Sequence, residues 1–158
     1  METAYIALGS NLPSAVGSPR QTLDAAISRI ALLGTVTARS AYYETAPVGY
    51  DNQPTFLNAA IALTTSLEPQ PLLEQLLEIE LEFGRDRSHG IRNGPRTLDL
   101  DLLLYGDRIL STPSLELPHP QMASRSFVLQ PLAEIAPEQM LPLELKSIAE
   151  LLRELPLR

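Results

Sequence analysis

Apolar residues recur along this chain with two different periods, and the switches between them lay out its elements. Residues 3–8 alternate, are rich in strand formers, and end in the turn signal Gly9-Ser10-Asn11. Across 19–33 the apolar positions Leu23, Ala26, Ile27, Ile30 and Leu33 take helical spacing instead. Ser18 suits the N-cap of that helix, Pro19 its first position and Gly34 its stop. Residues 35–45, β-branched and tyrosine-containing, predict a second strand. Residues 46–55 hold two prolines, a glycine and Asp51-Asn52 and read as a loop, and 56–65 predict a third strand. Helical spacing returns over 67–83, where Leu72, Leu73, Leu76, Leu77, Ile79, Leu81 and Phe83 form a broad apolar stripe before Gly84. The stretch 85–96 has no period and contains Gly90, Gly94 and Pro95, so it is a loop. A fourth strand follows at 99–105, then Gly106-Asp107 turns the chain toward a short strand at 108–110. Helices at 126–134 and 147–155 flank a proline-containing connection.

The order β-α-β-β-α-β predicts an α+β fold of the ferredoxin-like type, an antiparallel sheet with helices on one face. The extra C-terminal elements would extend or cover that sheet. There is no internal repeat, and no linker divides the chain, so 1–158 is expected to be one domain, long enough to bury a real core.

Composition narrows the function. The net charge of −7 argues against a general nucleic-acid binder, which would carry a basic face. No apolar run is long enough to span a bilayer, and no basic-then-apolar leader opens the chain. With no cysteine there are neither disulfides nor thiolate zinc sites. A cytoplasmic monomer acting on small molecules, with neither nucleic acid nor membrane as partner, is the expectation.

Against this acidic background, two features stand out. Asp99 and Asp101 interrupt an apolar strand two residues apart, so they share one face while Leu98, Leu100, Leu102 and Leu104 take the other. Burying two anions about 6.6 Å apart is costly unless positive charge meets them. Just upstream stand Arg85, Arg87, Arg92 and Arg96, four of the chain's twelve basic residues. Carboxylates take a hard cation such as Mg²⁺ and arginines take phosphate oxygens, which together suggest a metal-bound nucleotide polyphosphate. Two carboxylates on one strand face could bridge two Mg²⁺ ions for phosphoryl transfer. The blander reading is that the aspartates pair with arginines at a strand end and that Arg87, beside Asp86, lies on a solvated surface.

Other positions are less specific. Gly9-Ser10-Asn11 lacks the Gly-x-x-x-x-Gly-Lys-Ser/Thr pattern, and the one lysine is the distant Lys146, so a P-loop is excluded and a plain turn expected. His119, between two prolines, reads as a loop residue, with Arg125 six residues on as a second anion-binding point. Phe56 and Phe127 read first as core. Asn58, two residues beyond Phe56 on the same strand face, would also let a ring and an amide meet one flat heterocycle.

Several blocks together give the chain a family likeness: Ala4-Tyr-Ile-Ala-Leu-Gly-Ser-Asn-Leu12, Gln53-Pro-Thr-Phe-Leu-Asn-Ala-Ala60, Gly94-Pro-Arg-Thr-Leu-Asp-Leu-Asp101, Leu117-Pro-His-Pro120 and Arg125-Ser-Phe-Val-Leu-Gln-Pro-Leu132. In this order they resemble the 6-hydroxymethyl-7,8-dihydropterin pyrophosphokinases. The resemblance implies a ferredoxin-like fold and transfer of the terminal diphosphate of ATP to the pterin hydroxymethyl group, releasing AMP. It implies two Mg²⁺ held by Asp99 and Asp101, and phosphates met by Arg85, Arg87, Arg92, Arg96, His119 and Arg125, with Arg85 and Arg96 acting in catalysis. It implies a pterin lying between Phe56 and Phe127, with Thr45 and Asn58 reading its polar edge. Asn93, where relatives often have tryptophan, and Gln121, where many have arginine, depart from the pattern. Two competing readings use the same residues: a two-metal phosphohydrolase, which leaves Phe56, Asn58 and Phe127 unexplained, and a non-catalytic ferredoxin-like binding module. An RNA-binding version of the latter wants exposed sheet aromatics and a basic face, and the central strand presents acids.

Overall fold

The computed structural model describes residues 1–47, 52–85 and 95–156. Strand β1 (Glu2–Ser10) lies at the centre, antiparallel to β4 (Phe56–Thr65) on one side and β5 (Asp99–Tyr105) on the other. Strands β2 (Thr35–Arg39) and β3 (Tyr43–Thr45) both pair with the far edge of β4, giving the order β2-β4-β1-β5. Helices α1 (Pro19–Ile30) and α2 (Pro69–Glu82) complete the ferredoxin-like β-α-β-β-α-β order. After β5 come the short hairpin β6 (Leu110–Ser111) and β7 (Glu116–Leu117), helix α3 (Ser126–Ile135), the hairpin β8 (Met140–Leu141) and β9 (Lys146–Ser147), and α4 (Ile148–Glu154).

Local chemistry explains the element boundaries. Ser18 caps α1 through a reciprocal capping box with Gln21, and Pro19 stands at the first helical position, where its missing N–H costs nothing. Ser147 and Glu150 form the equivalent box on α4. The region 35–45, expected as one strand, is broken at its middle. Ser40 donates its N–H to the Ala60 carbonyl (2.9 Å), while its hydroxyl accepts the Ala60 N–H (2.9 Å). A side chain thus replaces one backbone rung, and the strand resumes as β3.

Helices cover both faces of the sheet, where one covered face was expected with the C-terminal elements left to extend or cover it. On the first face Ala4, Ile6, Leu8, Ile61, Leu63, Leu100 and Leu102 pack against Leu23, Ile27 and Ile30 of α1 and Leu72, Leu76 and Ile79 of α2. Each such buried aliphatic side chain contributes about 1.5–3 kcal/mol. On the second face Ala60, Leu103 and Leu104 meet Val128, Leu129 and Leu132 of α3 and Ile148 and Leu151 of α4.

Leu104 therefore departs from the sequence expectation that groups it with Leu98, Leu100 and Leu102. Tyr5 pairs with Leu104 but Ile6 pairs with Leu102, so Leu103 is an extra residue, a β-bulge that resets the alternation. Below the bulge β5 sends Leu103 and Leu104 under α3. Above it Asp99 and Asp101 keep the strand's original phase and face the same side.

Candidate active site

The second face is only partly roofed. α3 and α4 lie over the half of the sheet containing Tyr5, Ala60, Leu103 and Leu104. At the other half, where β1 ends and β4 and β5 begin, a cleft remains between the sheet and the start of α3. It is lined by Thr45, Phe56, Asn58, Arg96, Asp99, Asp101, Arg125 and Phe127, with Ala7 and Gly9 as its floor.

Strand register dictates that floor. Asp99 pairs with Gly9, Gly9 with Asn58, and Asn58 with Tyr43, so one row crosses four strands; Asp101, Ala7 and Ala60 form the next. Neighbouring strands lie about 4.8 Å apart, which puts Asn58 roughly 10 Å from Asp99 across Gly9. The glycine is required by contact rather than by backbone angle. A Cβ there would lie 2.9 Å from Asn58 Oδ1, because the amide leans over the central strand. The Asn58 Nδ2 donates to Thr45 Oγ1, which fixes the amide's orientation.

Arg96 occupies the opposite rim. Its Nη1 donates to Asp99 Oδ2 at 2.9 Å, both side chains being about four-fifths buried (19% and 18% exposed). The same guanidinium stands 5.7 Å from the Phe56 ring centroid, within cation–π range. A second arginine–aromatic pair faces it from the helix, with Arg125 Cζ 5.5 Å from the Phe127 centroid. Arg125 also donates to Gln121 Oε1, so the residue that departs from the family pattern holds this arginine in place.

The aspartate strand is itself anchored. β5 is an edge strand, and the Leu100 N–H, midway between the two aspartates, donates to Glu80 Oε2 at 2.6 Å. Glu80 is 1% exposed, so this carboxylate from α2 is buried on the strand's outer edge. The sequence offered no period or motif that distinguishes Glu80 from the other acids of α2.

Asn11 was expected to be part of a plain turn, yet it is 3% exposed and its side chain joins the two rims. Oδ1 accepts the Arg96 N–H (2.9 Å), while Nδ2 donates to Gln53 Oε1 (2.9 Å) and the Pro54 carbonyl (3.0 Å). The signal available was an asparagine directly after a strand that ends in Gly9-Ser10.

Of the remaining candidates, Arg85 follows α2 and donates its N–H to the Glu80 carbonyl, outside the set that lines the cleft. His119 is fixed beside the bulge. Its N–H donates to the Leu103 carbonyl (2.9 Å) and its Nδ1 accepts the Gln121 N–H (3.2 Å), again away from the lining residues. Arg87, Arg92 and Asn93 lie outside the described residues. The site thus gathers eight of the expected side chains: two carboxylates, two arginines, two rings, an amide and a hydroxyl. Carboxylates and guanidinium groups suit a metal–polyphosphate, and rings with a fixed amide suit a flat heterocycle.

Comparison with known proteins identifies the family. The sequence model of the 7,8-dihydro-6-hydroxymethylpterin-pyrophosphokinase (HPPK) family matches residues 5–137. The chain belongs to the HPPK family. It is therefore a pyrophosphokinase of folate biosynthesis. The 2-amino-4-hydroxy-6-hydroxymethyldihydropteridine pyrophosphokinase of Pseudomonas aeruginosa is 44% identical over 158 residues, covering 99% of this chain and 93% of its own. That of Bacillus subtilis is 49% identical over 132 residues, 84% of this chain and 77% of its own. Among solved structures, the Plasmodium falciparum HPPK-DHPS superposes with a TM-score of 0.76 at 15% identity, over 97% of this chain. This HPPK chain spans 44% of that longer protein, and the likeness shows the shared ferredoxin-like fold.

Proposed function

We propose that this HPPK transfers the terminal diphosphate of ATP to the hydroxymethyl group of 6-hydroxymethyl-7,8-dihydropterin, releasing AMP. The observation that carries the reading is the row Asp99–Gly9–Asn58. In that row a carboxylate suited to a metal ion and an amide suited to a heterocycle's polar edge share one floor, about 10 Å apart across a glycine. That span accommodates a bicyclic ring and its one-carbon arm, with the arm directed at the carboxylates.

Asp99 and Asp101 fit Mg²⁺. They are oxygen donors on one cleft face, and Mg²⁺ is commonly bound by one or two carboxylates with water and substrate phosphates completing its shell. Among the described residues no third His, Cys, Asp or Glu joins them, which leaves those positions to phosphate oxygens and water. When bound, two such ions would supply charge neutralisation on both sides of the transferred group.

The chain's own residues do the rest. Phe56 and Phe127 sandwich the pterin, and Thr45 orients the Asn58 amide against its polar edge. Arg96 exchanges Asp99 for a phosphate oxygen while keeping its stack on Phe56, so one side chain borders both substrates. Arg125 meets the polyphosphate from α3, and Arg85, Arg87, Arg92 and His119 supply further phosphate contacts. The pterin hydroxyl oxygen bonds to the β-phosphorus as the bond from that phosphorus to the α-phosphate bridging oxygen breaks, its electron pair leaving on AMP and the hydroxyl proton passing to water. Such a transfer needs in-line placement and charge neutralisation more than any covalent group.

Incubation with ATP, Mg²⁺ and the hydroxymethyl dihydropterin, followed by separation of the nucleotides, tests the reading. AMP formed only with pterin present supports it. ADP would mean an ordinary kinase, and AMP or phosphate released without pterin would mean a hydrolase.

A further inference from the structure

The carboxylate of Glu134, near the end of α3, reaches across to the strand edge beside the cleft. Its Oε1 accepts the Tyr43 O–H (2.6 Å), and its two oxygens share the Ala41 N–H (3.2 and 3.0 Å). Ser40 makes the second contact available. Its hydroxyl takes the Ala60 N–H, so residues 41 and 42 leave the sheet and the Ala41 N–H is bonded to the helix instead. Phe127 and Glu134, seven residues apart, lie on one stripe of α3 about 10.5 Å long. Tyr43 and Thr45, two apart, lie on one face of β3. Helix and strand thus run in opposite senses, tied at the Glu134 end and parted at the other, where Phe127 and Thr45 line the cleft. Because β3 is three residues long and pairs with β4, the carboxylate is a second fixing for a short strand.

We infer that Glu134 is a positioning residue for the pterin: by tying β3 to α3 at the closed end of this wedge, it fixes how the Thr45 hydroxyl, and the Asn58 amide bonded to it, face Phe127 at the open end. This rests on the proposed seating of the pterin between Phe56 and Phe127. Thr45 Oγ1 accepts from Asn58 Nδ2, and Tyr43 stands opposite Asn58 in the strand register, so tie and amide share one short stretch of sheet edge. Glu134 is exposed and lies outside the lining set, so it acts on the ligand through β3. Released from Glu134, β3 keeps its pairing to β4, but Thr45 gains latitude and the amide loses its fixed angle. Asp99 and Asp101 lie on β5, with β4 and β1 between them and β3, so the nucleotide side is spared.

The test is calorimetric titration of 6-hydroxymethyl-7,8-dihydropterin into the full chain saturated with Mg²⁺ and α,β-methylene ATP, which cannot break at the reacting bond. Affinity for that nucleotide is measured separately. Glu134→Ala should weaken the pterin by about three- to tenfold, the scale of one ordinary hydrogen bond, and the nucleotide by less than about twofold. Glu134→Gln, which keeps an acceptor oxygen for β3, should fall between Glu134→Ala and the parent. Tyr43→Phe removes a single bond and decides the matter if Glu134→Ala fails to fold; it should weaken the pterin by about two- to fivefold. In a Thr45→Val background Glu134→Ala should add less than about twofold, because the hydroxyl it acts through is gone. Parent-like pterin affinity in both Glu134→Ala and Tyr43→Phe, equal weakening of both ligands, or full additivity with Thr45→Val each overturns the inference and leaves the proposed function standing. A parent chain that does not bind the pterin removes the proposed function as well.

Discussion

Replacing Gly9 with alanine tests the floor of the cleft at a single methyl group. The new Cβ would stand 2.9 Å from Asn58 Oδ1 and 3.9 Å from the Leu57 carbonyl, so the amide must retreat by a few tenths of an ångström to reach ordinary contact. Asn58 cannot retreat freely, because its Nδ2 is already bonded to Thr45 Oγ1. Either that bond or the amide's alignment with the pterin edge is lost. One neutral hydrogen bond is worth about 0.5–1.5 kcal/mol, and leaving a partner unsatisfied costs about 1–3 kcal/mol. A loss of about 1–2 kcal/mol corresponds to roughly 5–30-fold in pterin affinity. The backbone of Gly9 is extended and paired on both sides, so alanine introduces no backbone strain there, and the melting temperature should fall by no more than the roughly 2–4 °C per kcal/mol that one lost hydrogen bond costs.

Steady-state kinetics with either substrate varied, alongside thermal unfolding, measures this. KM for the pterin should rise by the stated factor, with KM for ATP little changed. In an Asn58→Ala background the same Gly9→Ala change should add almost nothing, because the group it displaces is gone. An unchanged pterin KM, or full additivity of the two substitutions, would refute the claim that Gly9 exists to admit the Asn58 amide.

Four other outcomes follow from the same geometry. Asp99→Asn and Asp101→Asn should each lower kcat/KM by at least the 10–100-fold (about) typical of losing even an outer-shell metal partner, with unaltered circular dichroism; near-parent activity in both would remove the metal assignment. Arg96→Ala should cut kcat by about 10²-fold with a smaller effect on KM for ATP, since its contacts strengthen as charge moves; a change confined to KM would make it a uniform binder. Glu80→Ala orphans the buried Leu100 N–H and should destabilise by about 1–3 kcal/mol, or roughly 2–4 °C per kcal/mol in thermal unfolding, and loosen the aspartate strand; an unchanged melting temperature contradicts that anchoring role. Tyr42 is pushed up to about 12 by burial and by donating to the Asp24 carboxylate, so in an ultraviolet titration its step should come last and vanish in Tyr42→Phe. Because its folded value is raised, the associated stability is fully present below the ordinary tyrosine value of about 10 and is lost as pH climbs toward 12.

Much of this was legible in the residues. Helical spacing with Ser18, Pro19 and Gly34 located α1, and alternation located β1, β4 and β5, because local periodicity reports which face is buried. The pairing of Asp99 with Asp101 was readable for the same reason: two residues apart on a strand is a local relation. What escaped depends on partners distant in sequence. The break at Ser40 needs Ala60, the burial of Asn11 needs Gln53, Pro54 and Arg96, and the value of Glu80 needs the unpaired edge of β5. A side chain that completes someone else's hydrogen bond leaves no period behind.

The bulge at Leu103 links fold to function. Had β5 kept strict alternation, Asp99, Asp101 and Leu103 would face α3 and α4 while Leu104 turned to the first face. With the extra residue, Leu103 and Leu104 both belong to the cluster beneath α3, and the Leu103 carbonyl receives the His119 N–H. The same strand can then be apolar enough at its lower end to seat a helix and charged at its upper end, where the helix stops covering it. Arg125 and Phe127, at the start of that helix, meet the aspartates there because Val128, Leu129 and Leu132 are fixed against the bulged leucines below. The position of Arg125 is thus set by apolar packing on the neighbouring half of the sheet. Truncating Leu129, fully buried in that cluster, should cost about 2–5 kcal/mol and displace Arg125 and Phe127 together, whereas a cavity on the α1–α2 side should leave them in place.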